Sequence, residues 1–411
     1  MRQSLLLLLI GLWAVGAAAQ GDPIEQRQNY RTPAGPVYTA PEITPEKARE
    51  LTRGQAVLTL LKVTEISPAI ADSLVNPYPD TFLTLPALAS LDVESATKLS
   101  RHRGHLRLWG IKSLTPEVAA ALVASPGLSL QVTGVRDISP DVARALAGGK
   151  REKLELGLPN LPTDIAEALA AFPGRLLRFP RLESLSLDAA VALAKHRGSL
   201  DLGPARISPE VAEALLAHDG PLGLTAVTKL EPGVGEILAR HRHQVWLAVE
   251  ELDSVALAHK LFSNSNSNPY TGFGIHNLKT LSPDVAALFA AERQHAVFEQ
   301  LTSLTPAAAA ALSKHEGHLY LDKLASLSPE LARALTDRAR SATLAGVWGV
   351  TLRGVEALDT PEAVEVAKAL ASTSAPVNLP NLRRVSAAAI AELRKKPTIK
   401  LPAEHELTVV D

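Results

Sequence analysis

The chain has 411 residues, 42 basic against 43 acidic side chains, no cysteine, 29 prolines and an apolar fraction of 46%. No disulfide framework, thiolate nucleophile or cysteine-ligated metal site can be built from it. The even charge balance lacks the concentrated positive surface that nucleic-acid binding requires, and the apolar content is that of a folded chain.

The N-terminal segment comes first. Met1-Arg2-Gln3 precedes an apolar run from Leu5 that closes on Ala17-Ala18-Ala19. A basic start, a short apolar run and small residues at its end predict a secretory signal peptide over residues 1–19, with a retained N-terminal anchor as the alternative. The chain has no Asn-x-Ser/Thr acceptor either, and export without disulfide or glycan reads as bacterial. The expected location is the periplasm, the cell surface or the medium. Residues 20–36, with Pro23, Pro33 and Pro36, read as a flexible leader. No later stretch approaches eighteen uninterrupted apolar residues, so no transmembrane span is expected in the mature chain.

From residue 37 to 402 the chain repeats one unit: Leu-x-Leu, about five linking residues, then Leu-Ser/Thr-Pro-Glu/Asp-x-Ala-x-x-Leu. Leu106-Arg107-Leu108 followed by Leu114-Thr115-Pro116-Glu117 is a clear copy, and Leu319-Tyr320-Leu321 followed by Leu327-Ser328-Pro329-Glu330 is another. The apolar residue before Ser/Thr-Pro anchors each copy: Ile43, Ile66, Leu91, Leu114, Ile138, Leu161, Leu185, Ile207, Leu230, Leu252, Leu281, Leu304, Leu327, Leu358 and Val385. The first nine intervals between anchors are 22 to 25 residues.

Each part of the unit has a physical reading. Leu-x-Leu puts two side chains on one face of a short strand and the middle residue on the other. Ser or Thr is an N-cap, Pro fits the first helical position, and the acid suits the helix dipole. The Ala five residues after the anchor lets neighbouring helices approach closely. Glycines such as Gly104, Gly174, Gly198, Gly220 and Gly317 end the helices. Neither a lone strand nor a helix of about nine residues is stable, so the units must stack. The expected fold is α/β: a curved right-handed solenoid of about fifteen strand–helix units of 22–25 residues, parallel strands on the concave side and short helices on the convex side. An all-helical repeat is the alternative.

The Leu-x-Leu strand, the following apolar residue (Ile111, Leu158, Leu324) and the helical Leu (Leu122, Leu169, Leu335) resemble the leucine-rich repeat superfamily. Gly110, Gly157 and Gly203 stand where that family usually carries Asn or Cys. The Ala-rich helices resemble an atypical form found in secreted planctomycete proteins. The resemblance implies a binding scaffold and no catalytic site.

Three places break the pattern. Residues 262–274 form a Ser/Asn/Gly-rich insertion in which Tyr270 and Phe273 are candidate stacking surfaces for a sugar. The unit around 336–350 is lengthened and contains Trp348, and residues 403–411 read as a C-terminal cap or tail.

Candidate chemistry is sparse. His102, His196, His218, His241 and His315 all stand eleven residues after an anchor, three of them in consecutive units. Their expected role is to cap helix C-termini on the convex side, and a zinc cluster is the less favoured alternative. Glu155 and Asp201, with Thr84, Arg107, Ser129, Leu177, Gly223, Tyr320 and Thr351, are read as strand-centre residues of the concave face. They share no chemistry, so no ladder is expected there. At about 10 Å apart, Glu155 and Asp201 are too distant even for an inverting glycosidase pair. No nucleophile elbow, metalloprotease helix motif or phosphate loop is present. Arg107, Trp109 and Tyr320 are the candidate binding residues of the concave face, with Trp109 expected at a strand edge toward solvent and local packing against the next turn as the competing expectation for each aromatic. Trp246 and Trp348 are further aromatic candidates.

The reading is therefore a non-catalytic extracytoplasmic repeat scaffold with a protein partner, without metal or cofactor. A structural cell-envelope spacer and a carbohydrate-binding surface protein are the alternatives.

Overall fold

The computed structural model describes residues 35–263, 277–290, 296–337, 349–373 and 375–411. The expected signal peptide, most of the leader, Tyr270, Phe273 and Trp348 lie outside the described residues. Ten parallel strands, from Val37–Tyr38 to Val245–Leu247, form a sheet in strict chain order. A second sheet of five strands begins at Ala296–Phe298 and ends at Ile399–Lys400. Helices alternate with the strands, and each helix packs on its neighbours in sequence. This is an α/β solenoid, and the all-helical alternative falls.

The first Leu of each Leu-x-Leu aligns across the sheet. Leu83 pairs with Leu106, then Leu130, Leu154, Leu177, Leu200 and Leu222 follow in register, all of them fully buried. That row and the helical leucines meet in one continuous core.

The helix starts follow their chemistry. Thr44, Ser67, Thr115, Ser139, Ser208, Thr305 and Ser328 each accept a bond from the backbone N–H three residues on, with Pro in the first turn. The helices Thr163–Ala170 and Val234–Ala239 have no side-chain cap, because Pro162 and Gly233 stand at the capping position. The small residue five after the anchor is fully buried at Ala71, Ala96, Ala119, Ala143, Ala166, Ala190 and Ala212, where helix meets helix.

The unit-ending glycines have a different cause from the expected one. Among the described residues only Gly54 and Gly233 take positive φ. Gly104, Gly198 and Gly220 instead sit against the neighbouring coil: a Cβ there would lie 2.0 Å from Thr81 O, 2.6 Å from Gly174 O and 2.4 Å from Gly198 O. Stacked turns touch backbone to backbone.

Near the C-terminus the longer units add a third parallel sheet, Ala357–Leu358, Arg384–Ser386 and Thr408–Val410. The tail is thus a strand paired on the last anchored unit, with Val409 opposite Val385.

Candidate functional site

Strands sit about 4.8 Å apart and packed helices about 8–10 Å, so the strand side must be the inner side of the curve. Its middle row reads Thr59, Thr84, Arg107, Gln131, Glu155, Arg178, Asp201, Gly223 and Trp246, each in register with the next. Two residues earlier in the strands, Phe82, His105, Ser129 and Lys153 form a second row on the same face.

This corrects two assignments. Gln131 and Arg178, not Ser129 and Leu177, hold the middle positions of their strands, and Leu177 belongs to the core. The expectation of unrelated strand-centre residues falls with them, for five consecutive polar side chains run from Arg107 to Asp201. The signal was in the spacing. Strand centres lie seven residues before the anchor in most units and six in others, whereas reading the first leucine pair of Leu128-Ser129-Leu130 shifts the frame by two.

The row is built from mutual contacts. Arg178 Nη1 lies 3.1 Å from Glu155 Oε2, and its Nε 3.0 Å from Asp201 Oδ2, so one guanidinium bridges two carboxylates from the flanking strands. All three side chains are largely buried. Thr225 Oγ1 donates to Asp201 Oδ1 at 3.2 Å. Gly223 leaves room for that carboxylate, since a Cβ there would lie 2.8 Å from Oδ1.

Towards the N-terminal side the chemistry becomes aromatic. The rings of Phe82 and His105 stack at 4.2 Å and 7°. His105 Nδ1 is 2.8 Å from Ser129 Oγ. Burial, then the charges of Arg107 and Lys153, lower the His105 pKa to about 4, so its ring is neutral at pH 7. The Arg107 guanidinium carbon lies 4.9 Å from the Phe82 ring centre and 5.8 Å from that of Trp109.

The sequence-predicted residues fare unevenly. Arg107 is on the strand face but only 5% exposed. Trp109 is half-buried and donates from Nε1 to Gln131 Oε1 at 3.3 Å, so it packs locally instead of projecting to solvent. Tyr320 is half-buried in the second sheet, between the His318 ring at 4.6 Å and the Arg353 guanidinium at 5.5 Å. Trp246, 39% exposed beside Gly223, is the large aromatic that the strand face presents to solvent.

The histidines are not surface caps. His102, His196, His218, His241 and His315 are 1–3% exposed, tucked behind the turn that joins helix to strand. The capping idea survives in altered form at His315, whose Nδ1 lies 2.8 Å from the Phe289 carbonyl at the end of the preceding unit's helix. Among the described residues no group of three or more His, Asp or Glu side chains is placed to hold a metal ion. No helix among them is long and apolar enough to cross a membrane.

No family model and no curated protein matches the chain. Among solved structures it is similar to Toll in the Drosophila Toll–Spatzle complex, at 12% identity and a TM-score of 0.43, covering 85% of this chain and 55% of that one. A leucine-rich repeat protein of Leptospira interrogans aligns at 15% identity and a TM-score of 0.40 over 90% and 93% of the two chains. An internalin of Listeria monocytogenes aligns at 13% and 0.35 over 88% and 90%. The chain thus spans about half the length of Toll and most of the two bacterial proteins. The solenoid itself stands on this chain's own strand order and register.

Proposed function

We propose that the protein is a non-catalytic repeat scaffold that binds another protein across its strand face. The observation that carries this reading is the row on seven successive strands in which five polar side chains, Arg107 to Asp201, are followed by Gly223 and Trp246. The charges of Glu155, Arg178 and Asp201 are already paired within the face, which suits a surface read by shape and by hydrogen bonds at its rim. Trp246, exposed beside a glycine, has the character of an interface anchor. Glu155 and Asp201, the carboxylates that could serve acid–base chemistry, share the Arg178 guanidinium instead. The export signal read in residues 1–19 supports an extracytoplasmic setting, and the Ala-rich helices support kinship with secreted repeat proteins of that form.

The test is affinity capture from cell-envelope extract with the chain lacking residues 1–19, beside Trp246→Ala and a variant lacking 263–274. A stoichiometric protein partner retained by the loop deletion and lost with Trp246→Ala is the expected result. Loss with the loop deletion alone moves the site to the insertion and favours the carbohydrate reading. Recovery of only the protein itself overturns the scaffold reading and leaves the structural spacer.

A further inference from the structure

Behind the turns runs a column of buried positions, one per unit, and three consecutive ones are histidine. The rings of His196 and His218 stack at 6.4 Å and 6°, and those of His218 and His241 follow at 6.2 Å and 40°. Phe172 occupies the same place one unit earlier, 6.3 Å from His196 and nearly parallel to it. An uncharged aromatic ring therefore satisfies the packing of this column. Where no ring is present, at Ser125 and Gly149, the buried Arg151 guanidinium reaches back to the carbonyls of Ser100 and His102, both at 2.8 Å.

The imidazoles are held in a way that favours the neutral form. The His243 backbone N–H donates to His241 Nδ1 at 3.2 Å when that nitrogen carries a lone pair, whereas a protonated Nδ1 would have to turn to the His243 carbonyl at a longer 3.4 Å. His241 Nε2 is buried and without a hydrogen-bond partner. Backbone of Ala170 and Phe172 faces His196, and backbone of Ala194, Pro221 and His196 faces His218; these groups favour the charged ring, but no hydrogen bond closes to either and burial outweighs them. Their Nε2 atoms rest against Gly198 and Gly220, 2.7 and 2.9 Å from where a Cβ would stand.

The charges around the column offer little compensation. His196 faces His218. His218 faces His196 on one side and His241 and His243 on the other. His241 faces His218, His243 and Lys260, whose ammonium also donates to the His241 carbonyl. The carboxylate of this neighbourhood, Asp219, also feels the His218 charge, but it is strongly exposed, so solvent screens it, and it is engaged with His243 Nε2 at 2.8 Å, with Arg242 beside it. Protonated rings at these spacings would also repel one another.

We propose that His196, His218 and His241 form an acid-released latch, in which neutral stacked imidazoles hold three successive turns together and protonation loosens this part of the solenoid. Burial is the leading cause that holds all three below the ordinary value of 6.5. The sign follows from linkage. The unfolded segment takes up protons below about pH 6.5 while the folded one does not, so stability is full above that pH and is lost as pH falls towards the folded values. In that window each such histidine lowers the folded-to-unfolded ratio about tenfold per pH unit.

The experiment is hydrogen–deuterium exchange of the full chain at pH 7.5 and pH 5.5, corrected for intrinsic rate, beside the triple variant His196→Phe, His218→Phe, His241→Phe. In the wild type, exchange over 194–247 is expected to accelerate at least about tenfold on acidification, while 363–401, which holds no histidine, stays protected. The triple variant is expected to keep its protection at pH 5.5. Equal acceleration in both segments, no acceleration, or an acid response that persists in a folded triple variant overturns the proposal. Should the triple variant not fold, His218→Phe alone, flanked by rings on both sides, decides the same question: an undiminished acid response over 194–247 sinks it.

Discussion

At the scale of single residues, Arg178 organises the strand face. It lies between two acids on flanking strands and bonds both, so it offsets a repulsion that the fold itself creates. Removing one member of a largely buried ionic group leaves its partners uncompensated, which costs about 3–5 kcal/mol when burial is complete. Arg178→Met is therefore expected to lower stability by about 3 kcal/mol in urea denaturation. Arg178→Lys should lie between the two, since an ammonium cannot reach both carboxylates with planar geometry. Adding Glu155→Gln and Asp201→Asn to Arg178→Met should recover part of the loss, because the buried charge goes too. This residue was legible in principle. Glu155 and Asp201 were recognised as inward neighbours two units apart, but Arg178 follows Leu176-Leu177, and a run of two leucines hides which one begins the strand pair. Only the spacing of six or seven residues from strand centre to anchor, which excludes Leu177, resolves it.

At the scale of the element, strand, cap and helix were read from local chemistry and the turns were not. Ser-Pro-Glu carries its own instruction, and Ser208 accepts from Val211 as the pattern requires. Ser208→Ala should cost about 1 kcal/mol, the usual worth of an N-cap. Gly220 looks equally simple in sequence, yet its role depends on a partner one unit away. Gly220→Val is expected to destabilise by more than Ser208→Ala in thermal melts, since its Cβ would meet the Gly198 carbonyl and His218 Nε2. Gly54→Asn supplies the contrast. Its φ of +70° is one that Asn tolerates, and a Cβ there meets nothing within 4 Å, so little change is expected. The buried histidines escaped for the same reason as Gly220. Position at a helix end suggests solvent, while the close approach of stacked turns, which decides burial, is not written in any one unit.

At the scale of the whole molecule, each unit packs chiefly on its neighbours, so a lesion should cost interfaces rather than one global core. Leu154 and Leu60 are both fully buried strand leucines, and truncation of either to Ala removes a side chain worth about 2–5 kcal/mol with its cavity. Their places differ. Leu154 lies mid-sheet between the strands Gly127–Val132 and Leu176–Phe179, whereas Leu60 lies on the second strand, next to the short N-terminal edge Val37–Tyr38. Opening the unit of Leu154 separates long stacks on both sides, while opening that of Leu60 leaves a single unit, with the strand Val37–Tyr38 and the helix Pro45–Thr52, on its N-terminal side. Exchange mapping should then show Leu154→Ala loosening units on both sides of 151–156, and Leu60→Ala fraying the N-terminal end alone. Residues 296–337 should keep their protection in both variants. If Leu154→Ala instead raised exchange uniformly to residue 411, the solenoid would be one cooperative body, and the local acid latch would have no boundary at which to stop.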